Sequence, residues 1–94
     1  MQKLNFPKYS FRFKNSENKI YIFDIIRKKF VILQPEEWVR QHCVQYIITQ
    51  KGYPKSLINV EKELLVNKLK KRDDIVVYNT NGEIDIIIEC KAPN

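Results

Sequence analysis

Residues 72–93, RDDIVVYNTNGEIDIIIECKAP, decide the fold of this 94-residue chain. Ile75–Tyr78 and Ile84–Ile88 are short apolar runs rich in β-branched residues, which is typical of strands. Asn81-Gly82 lies between them and is a strong signal for a two-residue type I′ turn, because that turn needs a positive φ at both central positions. The stretch therefore predicts an antiparallel β-hairpin.

The register of this hairpin would bring charged side chains together. Counting outward from a two-residue turn places Tyr78 opposite Asp85 and Asp74 opposite Glu89. Because side chains alternate along a strand, Lys91 shares a face with Glu89. Opposed like charges are destabilising, but a divalent cation held by one or two carboxylates removes the repulsion. We predict a metal site for phosphodiester chemistry; the alternative is an exposed hairpin with charged ends, and a longer loop would break the Asp74–Glu89 pairing.

Two features of the stretch resemble known nuclease sequences. Asp74, followed fifteen residues later by Glu89-Cys90-Lys91, resembles the PD-(D/E)xK nuclease motif. RDDIVVY and IIIECKAP together resemble the N-terminal nuclease-like domain of type I restriction enzyme R subunits and their short stand-alone relatives. The similarity extends back through PEEWVRQ and KGYP, so it covers roughly residues 33–93.

The resemblance implies a DNA endonuclease that uses Mg²⁺, or alternatively Mn²⁺. Asp74 and Glu89 would hold the metal, with the main-chain carbonyl of Cys90 between Glu89 and Lys91. Lys91 would orient or help to deprotonate the attacking water and neutralise charge on the scissile phosphate. Arg72 would clamp a phosphate through its planar guanidinium group.

A helix is predicted from Pro35 to about residue 50. Proline suits the first turn of a helix, and Gly52 suits its end. The apolar face that we assign from a 100° turn per residue consists of Val39, Cys43, Val44, Tyr46, Ile47 and Ile48. Glu36 lies near the middle of that face. In the resembled fold a glutamate of the first helix reaches the metal, so we predict Glu36 as the fourth catalytic residue, and Glu37 is the second candidate for this role. An ordinary Glu36–Arg40 ion pair is the alternative, and His42 is predicted to lie on the surface.

The fold class that follows is α+β, with a restriction-endonuclease-like αβββ core over residues 34–94. The third core strand is assigned to 57–66, a stretch that is also compatible with a helix; Glu61 on it would be an accessory ligand. Residues 1–33 are predicted to form an antiparallel β-meander with strands at 9–14, 19–23 and 30–33, the first of which alternates aromatic and polar side chains.

The net positive charge of the chain comes from its N-terminal third. Residues 1–30 carry eight Lys and Arg against two acids, whereas residues 31–94 are balanced at nine each. Aromatic residues are interleaved with these cations, so the segment is compatible with binding a phosphate backbone; Lys and Arg that block edge-to-edge strand pairing are the alternative. The predicted DNA-binding residues are Arg27, Lys28, Lys29, Lys70, Lys71 and Arg72.

Composition limits the remaining possibilities. The length allows one domain, 1–94, and no apolar run reaches the length of a membrane span. Two cysteines and the absence of a secretion signal favour a reduced cytoplasmic protein. Nucleases of the resembled fold continue past the E-x-K motif into a further helix and strand, so we expect a fragment of a longer protein, or a second copy or partner subunit at the open sheet edge. The competing hypothesis is a non-catalytic nuclease-fold module that binds DNA or docks onto other restriction subunits.

Overall fold

The computed structural model describes residues 6–66 and 69–91, with side chains for 6–62 and 74–91. These residues form a small α+β fold with one α-helix and two antiparallel three-stranded sheets, as predicted. The strands are β1 Phe13–Ser16, β2 Lys19–Asp24, β3 Lys29–Ile32, β4 Ile58–Val66, β5 Leu69–Tyr78 and β6 Ile84–Ile88, and the helix α1 spans Pro35–Thr49.

The first sheet has the order β1-β2-β3 and is the predicted meander. Its first strand is shorter than the predicted 9–14 and begins at Phe13. Glu17 and Asn18 connect β1 to β2 and have φ angles of 51° and 63°. Two consecutive positive φ angles between paired strands are the property of a type I′ turn. The hairpin of β1 and β2 therefore has a tight two-residue turn, formed by a Glu-Asn pair.

The second sheet has the order β4-β5-β6, so 57–66 supplies a strand rather than a helix, after a short 3₁₀ turn at Lys55–Leu57. Its hairpin turn differs from the prediction. The Gly82 N–H donates to the Asn79 carbonyl at 3.0 Å, which makes Thr80 and Asn81 the central residues. Gly82 has a φ of 82°, whereas Asn81 is not among the residues with positive φ. This is a three-residue loop, in which a glycine in the left-handed region follows the turn.

The longer loop moves the pairing by one residue, and a β-bulge moves it back. Tyr78 pairs with Ile84, not with Asp85 as predicted, and the register shifts between Val77 and Tyr78. Beyond the bulge, Val77 pairs with Ile86 and the predicted register is restored down to Ile75, which pairs with Ile88. Asp85, left out of the ladder, accepts a hydrogen bond from the Tyr53 hydroxyl at 2.8 Å.

The helix is covered on two sides. One side packs on the main core, whose buried members are Val44, Ile47, Ile58, Ile75, Val77 and Cys90. The other side is covered by aromatic residues that precede β1, and Phe11 lies 4.9 Å from the His42 ring between centroids. The predicted surface position of His42 is wrong, because Phe6, Tyr9, Phe11 and Trp38 surround its ring. Among the described residues, no helix is long and apolar enough to cross a membrane.

Candidate functional site

Asp74 joins the two halves of the predicted motif. It lies in β5 directly before the buried residues Ile75 and Val76, and its side chain is partly exposed. Its Oδ2 atom accepts a hydrogen bond from the Cys90 N–H at 2.6 Å. This bond holds the main chain of Cys90 against the Asp74 side chain. It therefore links β5 to the segment that follows β6.

The two acids of the motif are neighbours. Continuing the register of Ile75 and Ile88 by one residue sets Asp74 opposite Glu89, although the ladder itself ends at Ile88. Burial raises the pKa of Asp74, but hydrogen bonds from the Cys90 N–H and Arg40, the charge of Arg40 and a hydrogen bond with Glu89 together lower it below the usual value. The Asp74 carboxyl group is therefore ionised. Lys91 follows on the exposed end of this segment.

The helix contributes Glu37, and the prediction that Glu36 faces the core is wrong. Glu36 is exposed, whereas Glu37 is buried and its Oε1 accepts a hydrogen bond from Arg40 Nη1 at 2.6 Å. Gln41 Nε2 donates to the other Glu37 oxygen at 2.8 Å. The prediction placed the buried face of the helix from its apolar residues alone. Arg40 and Gln41 are also buried, so the centre of the buried face lies closer to Glu37 than to Glu36. The alternative Glu36–Arg40 pair is not formed; Arg40 pairs with Glu37.

Arg40 connects this glutamate to the motif. Its Nη2 atom donates to Asp74 Oδ1 at 2.9 Å, so one guanidinium group bridges Glu37 and Asp74. The side chain is 7% exposed, and its Nε atom is buried without a hydrogen-bond partner. Burial acts to lower the pKa of Arg40, but the carboxylates of Asp74 and Glu37 outweigh it and raise the pKa. The arginine therefore stays charged.

Arg27 extends the network to the first sheet. It donates to Glu37 Oε1 at 2.9 Å and to Asp24 Oδ2 at 2.6 Å. Asp24 is fully buried, and its other oxygen accepts the N–H groups of Ile26 and Arg27 at 2.8 and 2.9 Å. The aspartate thereby shapes the turn between β2 and β3 and holds Arg27 over the helix.

Glu61, on β4, contacts the same two arginines. It lies between the paired residues Val60 and Lys62, and its φ of 56° marks a local irregularity of the strand. Its carboxylate lies 3.3 Å from Arg27 and 3.7 Å from Arg40. The sequence-based expectation that Glu61 faces the site agrees with this placement. Its role as a metal ligand stays a prediction.

The site is thus a network of carboxylates around two arginines. Asp24, Glu37, Glu61 and Asp74 surround Arg27 and Arg40, and the acids outnumber the cations. Carboxylate and carbonyl oxygens suit Mg²⁺ in chemical type. Within the described residues, however, no set of three His, Cys, Asp or Glu residues is arranged to hold a metal ion. Both oxygens of Asp74 already accept hydrogen bonds, so a metal at Oδ1 would either share that atom with Arg40 or displace its guanidinium group.

The predicted DNA-binding cations fall into three groups. Arg27 is paired with carboxylates in the network, whereas Lys28 and Lys29 are exposed. The side chains of Lys70, Lys71 and Arg72 lie outside the part of the chain that the structure describes. A role for any of these residues in binding DNA stays a prediction.

Sequence reasoning missed the Asp24–Arg27 pair and the combined burial of Glu37, Arg40 and Gln41. The spacing E-x-x-R-Q could have indicated the second group, because residues three and four apart share a helix face. Asp24 ends an apolar strand and precedes a basic turn, a position where an aspartate commonly accepts main-chain N–H groups.

Comparison with known proteins places most of the chain in a described family. The family model described as "Type I restriction enzyme R protein N terminus (HSDR_N)" matches residues 35–94, which is more than half of the chain and contains the helix, the second sheet and the motif. The curated proteins contain no match, and neither do the solved structures.

Proposed function

This chain belongs to the type I restriction enzyme R protein N-terminal family, and on that premise we propose that it is a DNA endonuclease module of a restriction-modification system. It would hydrolyse phosphodiester bonds at Asp74, Glu89 and Lys91 with Mg²⁺, or Mn²⁺ in its place. The supporting observation is the 2.6 Å hydrogen bond from the Cys90 N–H to Asp74, which brings together the parts of the D…E-x-K motif that the sequence separates.

The roles of the side chains follow from their positions. Asp74 and Glu89 would supply carboxylate oxygens, and Cys90 its main-chain carbonyl, to an ion that stabilises developing negative charge and lowers the pKa of a bound water. Lys91 is exposed beside these acids, where its ammonium group would approach the scissile phosphate and orient the attacking water. Glu37 replaces Glu36 as the proposed helix glutamate, since it shares Arg40 with Asp74.

Isothermal titration calorimetry with Mg²⁺ and Mn²⁺ tests the metal site directly. We expect the wild-type chain to bind at least one of these ions and Asp74→Ala to bind neither. Metal-dependent DNA cleavage should disappear in Asp74→Ala and in Lys91→Ala, whereas Lys91→Ala should retain metal binding, because its ammonium group is not a ligand. The control is Lys51→Ala, two residues beyond the C-terminal end of the helix. Failure of the wild-type chain to bind either ion would contradict the proposal.

The ion-pair network supports a second function, that of a non-catalytic module. Arg27 and Arg40 already neutralise carboxylates that would otherwise attract a metal. Such a module would bind DNA or dock onto other restriction subunits, and β6 lies at an edge of its sheet where a second copy or a partner subunit could pair. Salt-sensitive DNA binding that is unchanged in Asp74→Ala and Lys91→Ala, without metal uptake, would favour this function over the first.

A further inference from the structure

The outward side of the first sheet carries aromatic rings and cations together. Alternation along β2 turns Ile22 and Asp24 inward, where both are fully buried, and turns Tyr21 and Phe23 to the other side. Cross-strand pairing adds Phe30 to that side, opposite Phe23. We call this surface the aromatic-cationic face; its members are Arg12, Lys14, Lys19, Tyr21, Phe23 and Phe30.

The rings and cations of this face are in contact. The Arg12 guanidinium lies 4.6 Å from the centroid of Phe23 and 5.6 Å from that of Phe30. The Lys14 ammonium lies 5.2 Å from the centroid of Phe30 and 5.7 Å from that of Tyr21. The Phe23 and Phe30 rings meet edge to face, with centroids 5.2 Å apart. Arg12 and Lys14 are exposed, so the stacked groups lie at the surface.

The charge of the face has one sign. The other positions that β1–β3 direct to this side are Ser16, paired with Lys19, and Ile32, paired with Tyr21. None of these strand positions is an Asp or Glu. Lysines and arginines alone would suffice to block strand pairing at an edge. That role does not require a row of aromatic rings on the solvent side of the sheet.

We propose that the aromatic-cationic face binds a single-stranded nucleic acid. Unpaired bases would stack on the outer side of the Arg12 guanidinium plane, and on the rings of Tyr21, Phe23 and Phe30 where Arg12 and Lys14 turn from the rings to bind phosphates. A duplex is the poorer ligand, because its base faces are already stacked on one another. The face lies on the opposite side of β2 from Asp24, so this inference does not depend on nuclease activity at Asp74.

Fluorescence anisotropy with labelled oligonucleotides of equal length tests the inference on the full chain. Single-stranded DNA, single-stranded RNA and duplex DNA form the three arms, each measured at two salt concentrations. We expect single strands to bind more tightly than the duplex, and the first two arms to show whether DNA or RNA is preferred. Phe23→Leu with Phe30→Leu should weaken single-strand binding by about fivefold or more. Arg12→Ala with Lys14→Ala should weaken it and reduce its salt dependence.

Lys51→Ala is the matched control, because the Lys51 ammonium lies 5.8 Å from the Tyr46 ring on the helix and repeats the same contact outside the face. Its affinity should equal that of the wild type, and circular dichroism melting should show that all variants fold. Photo-crosslinking to a bromouracil oligonucleotide gives a second readout, with adducts expected on the peptide that contains Tyr21.

Several results would overturn the inference. The first is equal affinity for single strands and for duplex, and the second is a single-strand affinity that neither double variant changes. The third is a loss of single-strand affinity in Lys51→Ala as large as the loss in the double variants. Binding of polyglutamate that is as tight as that of the oligonucleotides and insensitive to the aromatic substitutions would instead indicate an acidic protein partner. Asp74→Asn separates the two proposals, because it should abolish cleavage and leave single-strand binding unchanged.

Discussion

Arg40 is the cation that neutralises the carboxylates of the candidate metal site at Asp74 and Glu37. It bridges Glu37 and Asp74, and of the two site arginines it is the one that contacts the D…E-x-K motif. A divalent cation would compete for the same Asp74 oxygen. Arg40 therefore occupies a position beside Asp74 that a metal ion would otherwise take. Removal of its positive charge should increase the affinity of these carboxylates for a divalent cation.

Arg40→Met should lower the free energy of unfolding by about 3 kcal/mol without metal, because it leaves the partly exposed Asp74 without its arginine partner and the buried Glu37 with Arg27 alone. Mg²⁺ or Mn²⁺ should restore part of this loss, so the rise in melting temperature with metal should be larger than in the wild type. Arg27→Met is the control, because Arg27 pairs with Asp24 and Glu37 but is not bonded to Asp74 in the network. Equal metal-induced shifts in both variants would contradict this role of Arg40.

Acid should destabilise the protein through Asp24 and Asp74. Burial raises the pKa of Asp24, but hydrogen bonds from the Arg27 and Ile26 N–H groups and the charged Arg27 side chain lower it overall. A carboxylate with a lowered folded-state pKa contributes stability above the unfolded value of about 3.9 and loses it as the pH falls through the lower folded value. Urea unfolding should therefore show a falling free energy below about pH 4. Asp24→Asn should flatten this dependence, and an unchanged slope would contradict the assignment.

At the scale of elements, the β5–β6 hairpin does not have the turn that the sequence predicts. The Asn-Gly pair, the strongest type I′ signal in the sequence, instead belongs to a loop in which the Asn79 side chain accepts the N–H groups of Asn81 and Glu83 at 2.9 and 3.0 Å. This side-chain acceptor favours a turn that starts at Asn79, and the bulge between Val77 and Tyr78 then corrects the register. The pairing of Asp74 with Glu89 depends on that correction.

Substitutions in the loop distinguish the two turn types. Gly82→Ala should cost about 1 kcal/mol or more, because its φ of 82° is unfavourable for alanine. Asn81→Ala should cost less, since its φ is negative in the observed turn, whereas a type I′ turn would make both changes costly. Chemical denaturation of the two variants measures the difference, and equal losses would restore the type I′ assignment.

At the scale of the whole molecule, segments from the N-terminal part and from the C-terminal part of the chain pack on opposite sides of the helix. Residues 6–12 cover one side through their aromatic rings, and the second sheet covers the other through Ile75 and Val77. Cys43 on the helix packs against the core cluster that contains Cys90, and the neighbouring Cys43 thiol together with burial raises the pKa of Cys90, so the helix also packs beside the motif segment. The N-terminal sheet is therefore part of the support of the site, since Asp24 and Arg27 belong to it.

Phe11→Ala tests this enclosure. Its ring lies 5.7 Å from Trp38 and 4.9 Å from His42 between centroids, so its loss should lower the free energy of unfolding by about 2 kcal/mol. Trp38 fluorescence should shift to longer wavelength as the indole gains water. Phe13→Ala is the control, because Phe13 is 50% exposed, and it should have a smaller effect on both readouts. Equal effects would contradict a specific role of Phe11 in covering the helix.

The sequence by itself determined the α+β class, the order of the helix and strands and the family of the chain. These follow from short-range signals, namely apolar periodicity, Pro35 and a compact motif. Tertiary structure decided that Glu37 rather than Glu36 is buried, that His42 lies among aromatic rings, and that Arg27 pairs with acids. These outcomes depend on which distant groups neutralise a buried charge or cover a ring, and no local pattern specifies such partners.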